Sequence, residues 1–205
     1  MFSSSKKKVT CKDKLKTDRM KKLYTFLILT MLLNISLVTA QEPITRPTKG
    51  KSVIYFIRTT QAGSLINFKY FDGEKYLGKF NGRHYFQYEC NPGKHTFWAK
   101  SENIDFIEAD IKANSIYFIE AKARMGMIKA SVKLFPVDFK DKRQMKKINK
   151  IFKKKDILIR DTEKIAEEAV ELEERIQKWF KKIAKKKEKG RKVKKITPEM
   201  EYKKL

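Results

Sequence analysis

The chain has 205 residues, with 49 Lys+Arg against 24 Asp+Glu and a formal net charge of +25 at pH 7. Hydrophobic residues make up 41% and charged residues 36%, which is too apolar for wholesale disorder and too short for a large barrel enzyme. The charge is uneven. Residues 1–40 carry 9 basic and 2 acidic side chains, residues 41–139 carry 15 and 10, and residues 140–205 carry 25 and 12. A nearly ordinary middle therefore lies between two basic ends, and any argument about an anionic partner concerns the ends.

Lys21 and Lys22 precede an apolar run, Leu23 to Leu33, and Val38-Thr39-Ala40 supplies a small-residue cleavage pattern. This order of basic, apolar and small residues predicts a secretory signal peptide over residues 1–40. Met20 stands directly before Lys21, so residues 1–19 read as an over-called start or a lengthened basic n-region. An uncleaved N-terminal membrane anchor is the alternative, since the stretch from Leu23 to Ala40 is about as long as the shortest hydrocarbon spans. Basic residues ahead of the run put residues 41 onward outside the cytoplasm in either case, in the periplasm or cell envelope. Residues 41–50 read as a linker.

From Ser52 to Phe139, short runs rich in Ile, Val, Tyr and Phe alternate with turn dipeptides, the pattern of a small antiparallel β-sandwich. Strands are expected near 52–58, 64–71, 75–80, 83–89, 94–100, 104–111, 115–124 and 127–135. Asp72-Gly73 and Asn81-Gly82 are the strongest turns, because these residues tolerate the positive φ of two-residue hairpins. Pro92-Gly93, Ala113-Asn114 and Met125-Gly126 supply the others. Several strands are apolar on both faces, which calls for a second covering layer. Cys90, the one thiol after residue 40, is expected to be buried or inert.

The order VIYFIR, LGKFNGRHYFQYE, NPGKHTFWAKSE and NSIYFIEAKARMGMIKASVKL resembles the bacterial envelope family called domain of unknown function 2846, over about residues 51–139. The resemblance implies an exported or lipid-anchored β-sandwich and carries over no catalytic residues. Thr59 replaces a proline that often follows the first-strand arginine, and no lipidation cysteine follows the signal.

Beyond Lys140 the composition shifts to helix. Asp141 to Lys155 is amphipathic through Met145, Ile148, Ile151 and Phe152. A longer helix is expected from Asp161, as N-cap, to Gly190, as C′ residue. Its stripe of Ile165, Ala169, Leu172, Ile176, Trp179 and Ile183 advances by fours and threes, suited to packing on the domain, on a partner or on a second copy. The two helices could form a hairpin. Residues 190–205 read as a disordered basic tail. Lys185, Lys186, Lys187, Lys189, Arg191, Lys192, Lys194 and Lys195 form a cluster suited to anionic lipid, lipopolysaccharide or acidic glycan. Nucleic acid would attract the same cluster equally well, and the export address argues against it; a cytoplasmic polyanion or nucleic-acid binder follows only if the export signal is false.

No sequence motif for a metal, a cofactor or a nucleophile accompanies the two histidines, His84 and His95. The carboxylates Glu102, Asp105, Glu108 and Asp110 do not match a calcium loop and read as a charged strand edge. Phe97 and Trp98, pointing to opposite faces of one strand, are candidates for an exposed glycan- or peptide-binding platform. The resulting expectation is a mainly β, non-catalytic envelope protein: a sandwich scaffold or interaction module held at anionic surfaces by its basic C-terminus.

Overall fold

The computed structural model describes residues 19, 21–24, 44–61, 63–125, 130–155 and 157–203. Residues 1–41 and 42–205 are separate units. Of the first unit, Arg19 and residues 21–24 are described and are helical. The rest of the predicted export signal, with its cleavage pattern, lies outside the described residues. So does Gly126 of the expected Met125-Gly126 turn. No helix among the described residues is long and apolar enough to cross a membrane.

The second unit is mainly β. Its strands are β1 (Ser52–Arg58), β2 (Phe68–Asp72), β3 (Lys75–Phe80), β4 (His84–Cys90), β5 (Gly93–Lys100), β6 (Ile104–Ile111), β7 (Ile116–Met125), β8 (Ala130–Pro136) and β9 (Lys194–Ile196). They form a four-stranded sheet in the order β4-β1-β7-β8 and a five-stranded sheet in the order β3-β2-β5-β6-β9. Both sheets are mixed rather than purely antiparallel. β1 runs parallel to β7, and β6 runs parallel to β9. Such pairs join segments far apart in sequence, so hairpin signals cannot announce them. The second strand is shorter than expected, because residues 63–65 are a turn leading into it.

The inner faces meet in a core that includes Phe56, Phe86, Tyr117 and Leu134 from one sheet and Tyr70, Phe97, Ala99 and Ile107 from the other. Alternation then places Tyr55, Ile57, Tyr85 and Phe118 on the outer face of the four-stranded sheet. Phe71, Tyr76, Trp98 and Phe106 occupy the outer face of the five-stranded sheet. A solvated outer face would expose these large rings, and a helix covers each one.

Helix α1 (Lys142–Lys154) starts where the Asp141 carboxylate accepts bonds from the Arg143 and Gln144 backbone N–H groups. It buries Ile148 and Ile151 on the four-stranded sheet, with Met145 and Phe152 packed beside them. Helix α2 (Thr162–Glu188) is capped by Asp161 and lays Leu172, Ile176 and Ile183 on the five-stranded sheet, flanked by Ile165, Ala169 and Trp179. Its end is a Schellman turn. Gly190 N–H donates to Lys187 C=O at 2.9 Å, Arg191 N–H donates to Lys186 C=O at 3.2 Å, and Gly190 takes φ +70°.

The two helices thus lie on opposite faces of a four-layer α/β/β/α stack and do not form a hairpin. Each outer sheet face is a separate apolar surface, and burying both requires the helices to part. The segment joining them passes the β4 edge, where Leu158 N–H donates to Tyr85 C=O at 2.9 Å.

The expected linker and the expected disordered tail are both ordered where they are described. Ile44 is buried in the α1 cluster, and Thr45 N–H donates to the Tyr55 hydroxyl at 2.8 Å. At the other end, β9 completes the five-stranded sheet and buries Ile196 in the inter-sheet core. Tyr202 then donates its N–H to Ile116 C=O of the opposite sheet at 2.8 Å. Residues 190–203 are a strap across the end of the sandwich.

Candidate anion-binding surface

The strap is held by a buried carboxylate. Asp105 on β6 is 2% exposed and accepts bonds from Arg191 Nη2 at 2.6 Å, Lys194 Nζ at 2.7 Å and the Leu134 backbone N–H at 2.8 Å. Lys194 also donates to Leu134 C=O. On the other face of β6, Glu108 pairs with Lys187 at 2.6 Å, and Lys186 Nζ donates to Ile104 C=O at 3.2 Å. Burial, then the Arg191 charge, lower the pKa of Lys186 below its ordinary value.

The eight-cation cluster read from sequence therefore divides in two. Lys186, Lys187, Arg191 and Lys194 are structural, and they account for the Asp105 and Glu108 carboxylates. Lys185, Lys189, Lys192 and Lys195 are exposed. Beside the last four stand Arg175, Lys181 and Lys182, exposed along the C-terminal half of α2. Lys178 is exposed too, paired with Glu174 one turn away at 3.5 Å. The N-terminal half of α2 is acidic, with Glu163, Glu167, Glu171 and Glu173 exposed. The helix is accordingly split by charge along its length.

Sequence reasoning passed over a second cationic surface. Seven of the thirteen residues of α1 (KRQMKKINKIFKK) are Lys or Arg, none is acidic, and all seven are exposed. Among the described residues none of the seven belongs to an ion pair of 4.0 Å or less. The signal was present as charge without compensation. In the sequence that charge shares a segment with the apolar stripe of Met145, Ile148, Ile151 and Phe152, which is the more conspicuous pattern.

Phe97 and Trp98 do not form an exposed aromatic platform. Phe97 and Trp98 are both 0% exposed. Phe97 lies between the sheets, with His95 stacked on it at 5.3 Å. Trp98 lies under α2, stacked on Phe71 at a ring separation of 3.7 Å, and its indole N–H donates to Gly73 C=O at 2.7 Å. Alternation does place the two residues on opposite faces of β5. What it could not reveal is that each face has its own cover. The stripe from Ile165 to Ile183 likewise packs on the five-stranded sheet, with Leu172, Ile176 and Ile183 buried and Ile165, Ala169 and Trp179 partly buried.

The histidines are structural. His84 is buried between the sheets with Nδ1 at 3.0 Å from Asn81 C=O, and burial lowers its pKa to about 4. His95 bonds through Nδ1 to the Asp72 carboxylate at 2.8 Å and through Nε2 to Asn91 C=O at 2.9 Å, two acceptors that suit an imidazolium. The bond to Asp72 raises its pKa, against an opposing effect of burial. Tyr88 donates to the same carboxylate at 3.1 Å.

Cys90 is buried nearby, its thiol pushed up to about 12 by burial and by the Asp72 charge, so it is no nucleophile at neutral pH. Arg58, 0% exposed, donates to the Ile66 and Gly63 carbonyls and lies 4.1 Å over the Phe68 ring, which fastens the loop after β1.

A cleft of about 570 Å³ opens where β9 meets β6, lined by Lys94, His95, Glu108, Asp110, Lys187 and Lys195 among others. Both signs of charge face it, and Glu108 is already bound to Lys187. Among the described residues no three His, Cys, Asp or Glu side chains gather as a metal site. The chain matches no protein-family model, no curated protein and no solved structure.

Proposed function

We propose that this chain is a non-catalytic module of the cell envelope whose sandwich serves as a rigid scaffold for cationic contact with anionic membrane surfaces. The observation that carries the reading is the C-terminal half of α2 with its C-cap, where Lys181, Lys182, Lys185 and the capping Lys189 are exposed. At an anionic bilayer each such residue contributes about 1 kcal/mol, screened within a Debye length of about 8 Å at physiological ionic strength. A helix held on a sheet by Leu172, Ile176 and Ile183 presents these charges as a fixed row, so little conformational entropy is lost on contact. The export reading of residues 1–40 and the resemblance to domain of unknown function 2846 supply the envelope address.

Deleting the tail is an unsuitable test, because Ile196 and Tyr202 belong to the packed layers. The fourfold substitution Lys181→Gln, Lys182→Gln, Lys185→Gln and Lys189→Gln removes charge and leaves the core intact. Made in a chain whose α1 residues Lys146, Lys147, Lys150 and Lys153 are already Gln, so that the second cationic surface is silent, it should weaken co-sedimentation with phosphatidylglycerol-containing vesicles at low salt by at least tenfold relative to that parent. Equal sedimentation of both proteins would sink the assignment of this row. A chain that ignores anionic vesicles altogether would sink the membrane-contact reading.

A further inference from the structure

The outer face of α1 has no part in the contact proposed above, yet its cations are exposed and, among the described residues, belong to no ion pair of 4.0 Å or less. Arg143, Lys146, Lys147, Lys150, Lys153 and Lys154 are exposed on it, and the helix contains no Asp or Glu. We infer that α1 is a second, independent membrane-contact ridge, and that the protein bridges two anionic bilayers, one on each side of the sandwich. This inference rests on the membrane-contact reading and extends it from one surface to two.

The argument is geometric. Ile148 and Ile151 seat α1 on the outer face of the four-stranded sheet, among Tyr55, Ile57 and Phe118. Leu172, Ile176 and Ile183 seat α2 on the outer face of the other sheet, among Phe71, Trp98 and Phe106. Face-packed sheets stand about 10 Å apart and a helix is about 10 Å across, so the two helix axes are separated by about 30 Å. That is several times the Debye length of about 8 Å at physiological ionic strength. A flat bilayer that touches one ridge therefore gains nothing from the other, whose charges remain free for a second surface.

A row of side chains along a helix of thirteen residues extends about 20 Å, which fits a plane of headgroup phosphates. Single-stranded nucleic acid is met by exposed aromatic stacking residues as well as by charge. The large exposed hydrophobics among the described residues are Leu23, Tyr24, Leu65, Ile159 and Val170, none of them on α1. The observations favour the bilayer.

The test uses the full chain with two colours of vesicle, in phosphatidylglycerol-containing and in pure phosphatidylcholine form, and reads sedimentation and colour mixing separately. The unaltered chain should bind the anionic vesicles and cluster them, and high salt should reverse the clustering. Pure phosphatidylcholine vesicles should stay dispersed, which separates charge from any insertion of residues 23–40. Substituting either Lys146, Lys147, Lys150 and Lys153 together, or Lys181, Lys182, Lys185 and Lys189 together, by Gln should leave the protein bound through its other ridge and slow clustering at least tenfold.

Binding without clustering by the unaltered chain overturns the bridging inference and leaves the membrane-contact reading standing. Absence of binding overturns both. Undiminished clustering by either fourfold variant shows that two ridges are not needed and also overturns the inference. Tighter binding to a short DNA duplex than to vesicles, at equal phosphate concentration, would assign the ridges to nucleic acid and overturn it as well.

Discussion

Replacing Asp105 by asparagine removes one negative charge from a site that holds two cations and a backbone N–H. Arg191 Nη2 and Lys194 Nζ lie 2.6 and 2.7 Å from its two oxygens, with the cation side chains 38% and 33% exposed and the carboxylate 2%. A hydrogen bond to a charged partner contributes about 1.5–3 kcal/mol when well shielded. Because both cations are more than a third or about a third exposed and can return to water, roughly 1 kcal/mol each is the appropriate discount.

Asparagine still offers a carbonyl to the Leu134 N–H, so D105N should lose about 2 kcal/mol. Asp105→Ala also orphans that buried donor, for a total of about 3–5 kcal/mol. Urea unfolding followed by tryptophan fluorescence reads the loss. Limited trypsin digestion reads its location, since Arg191, Lys192, Lys194 and Lys195 are all cleavage points within the strap. The unaltered chain should resist cutting there and D105N should be cut first there. If D105N matched the unaltered chain in urea midpoint and in the protection of these bonds, Asp105 would not be what holds the strap.

Three further outcomes follow from the same contacts. His84 has a folded pKa of about 4 against 6.5 unfolded, so its contribution is complete above pH 6.5 and is lost as pH falls through that window, about 3 kcal/mol in all. Urea midpoints measured between pH 7 and 4 should fall more steeply for the unaltered chain than for His84→Gln; equal slopes would exclude the mechanism. His95 acts with the opposite sign: its raised pKa contributes stability that is lost as pH rises above 6.5 through the folded value, and His95→Gln should flatten that alkaline limb.

Gly78 takes φ +124°, and a Cβ there would come 2.6 Å from the Phe80 ring and 3.2 Å from Ile165, so Gly78→Ala should destabilise by more than about 2 kcal/mol in thermal unfolding and loosen the N-terminal half of α2. A variant as stable as the unaltered chain would refute that packing.

Much of the architecture was legible as local chemistry. Asp72-Gly73 and Asn81-Gly82 ended strands where they do because positive φ is cheap there, and Asp141 and Asp161 started helices because their carboxylates satisfy N-terminal N–H groups. The apolar spacing from Ile165 to Ile183 reported a helix face, and double-faced strands such as SVIYFIR reported that something must cover the sheets. The candidate surface was legible only in part. Half of the cluster from Lys185 to Lys195 proved to be structural, and the stronger row on α1 was hidden behind its own apolar stripe.

What the tertiary structure decided is which partner each face meets. Trp98 and Phe97 have the same local pattern as exposed strand aromatics, and their burial depends on α2 and on the opposite sheet. Arg191 and Lys194 look like solvated tail residues until Asp105, 86 and 89 positions earlier, is brought against them. Local patterns fix helices, strands and turns because their hydrogen bonds close within a few residues. Pairing between distant segments, and with it the division of lysines into those that hold the fold and those that face outward, is set only when the layers close on one another.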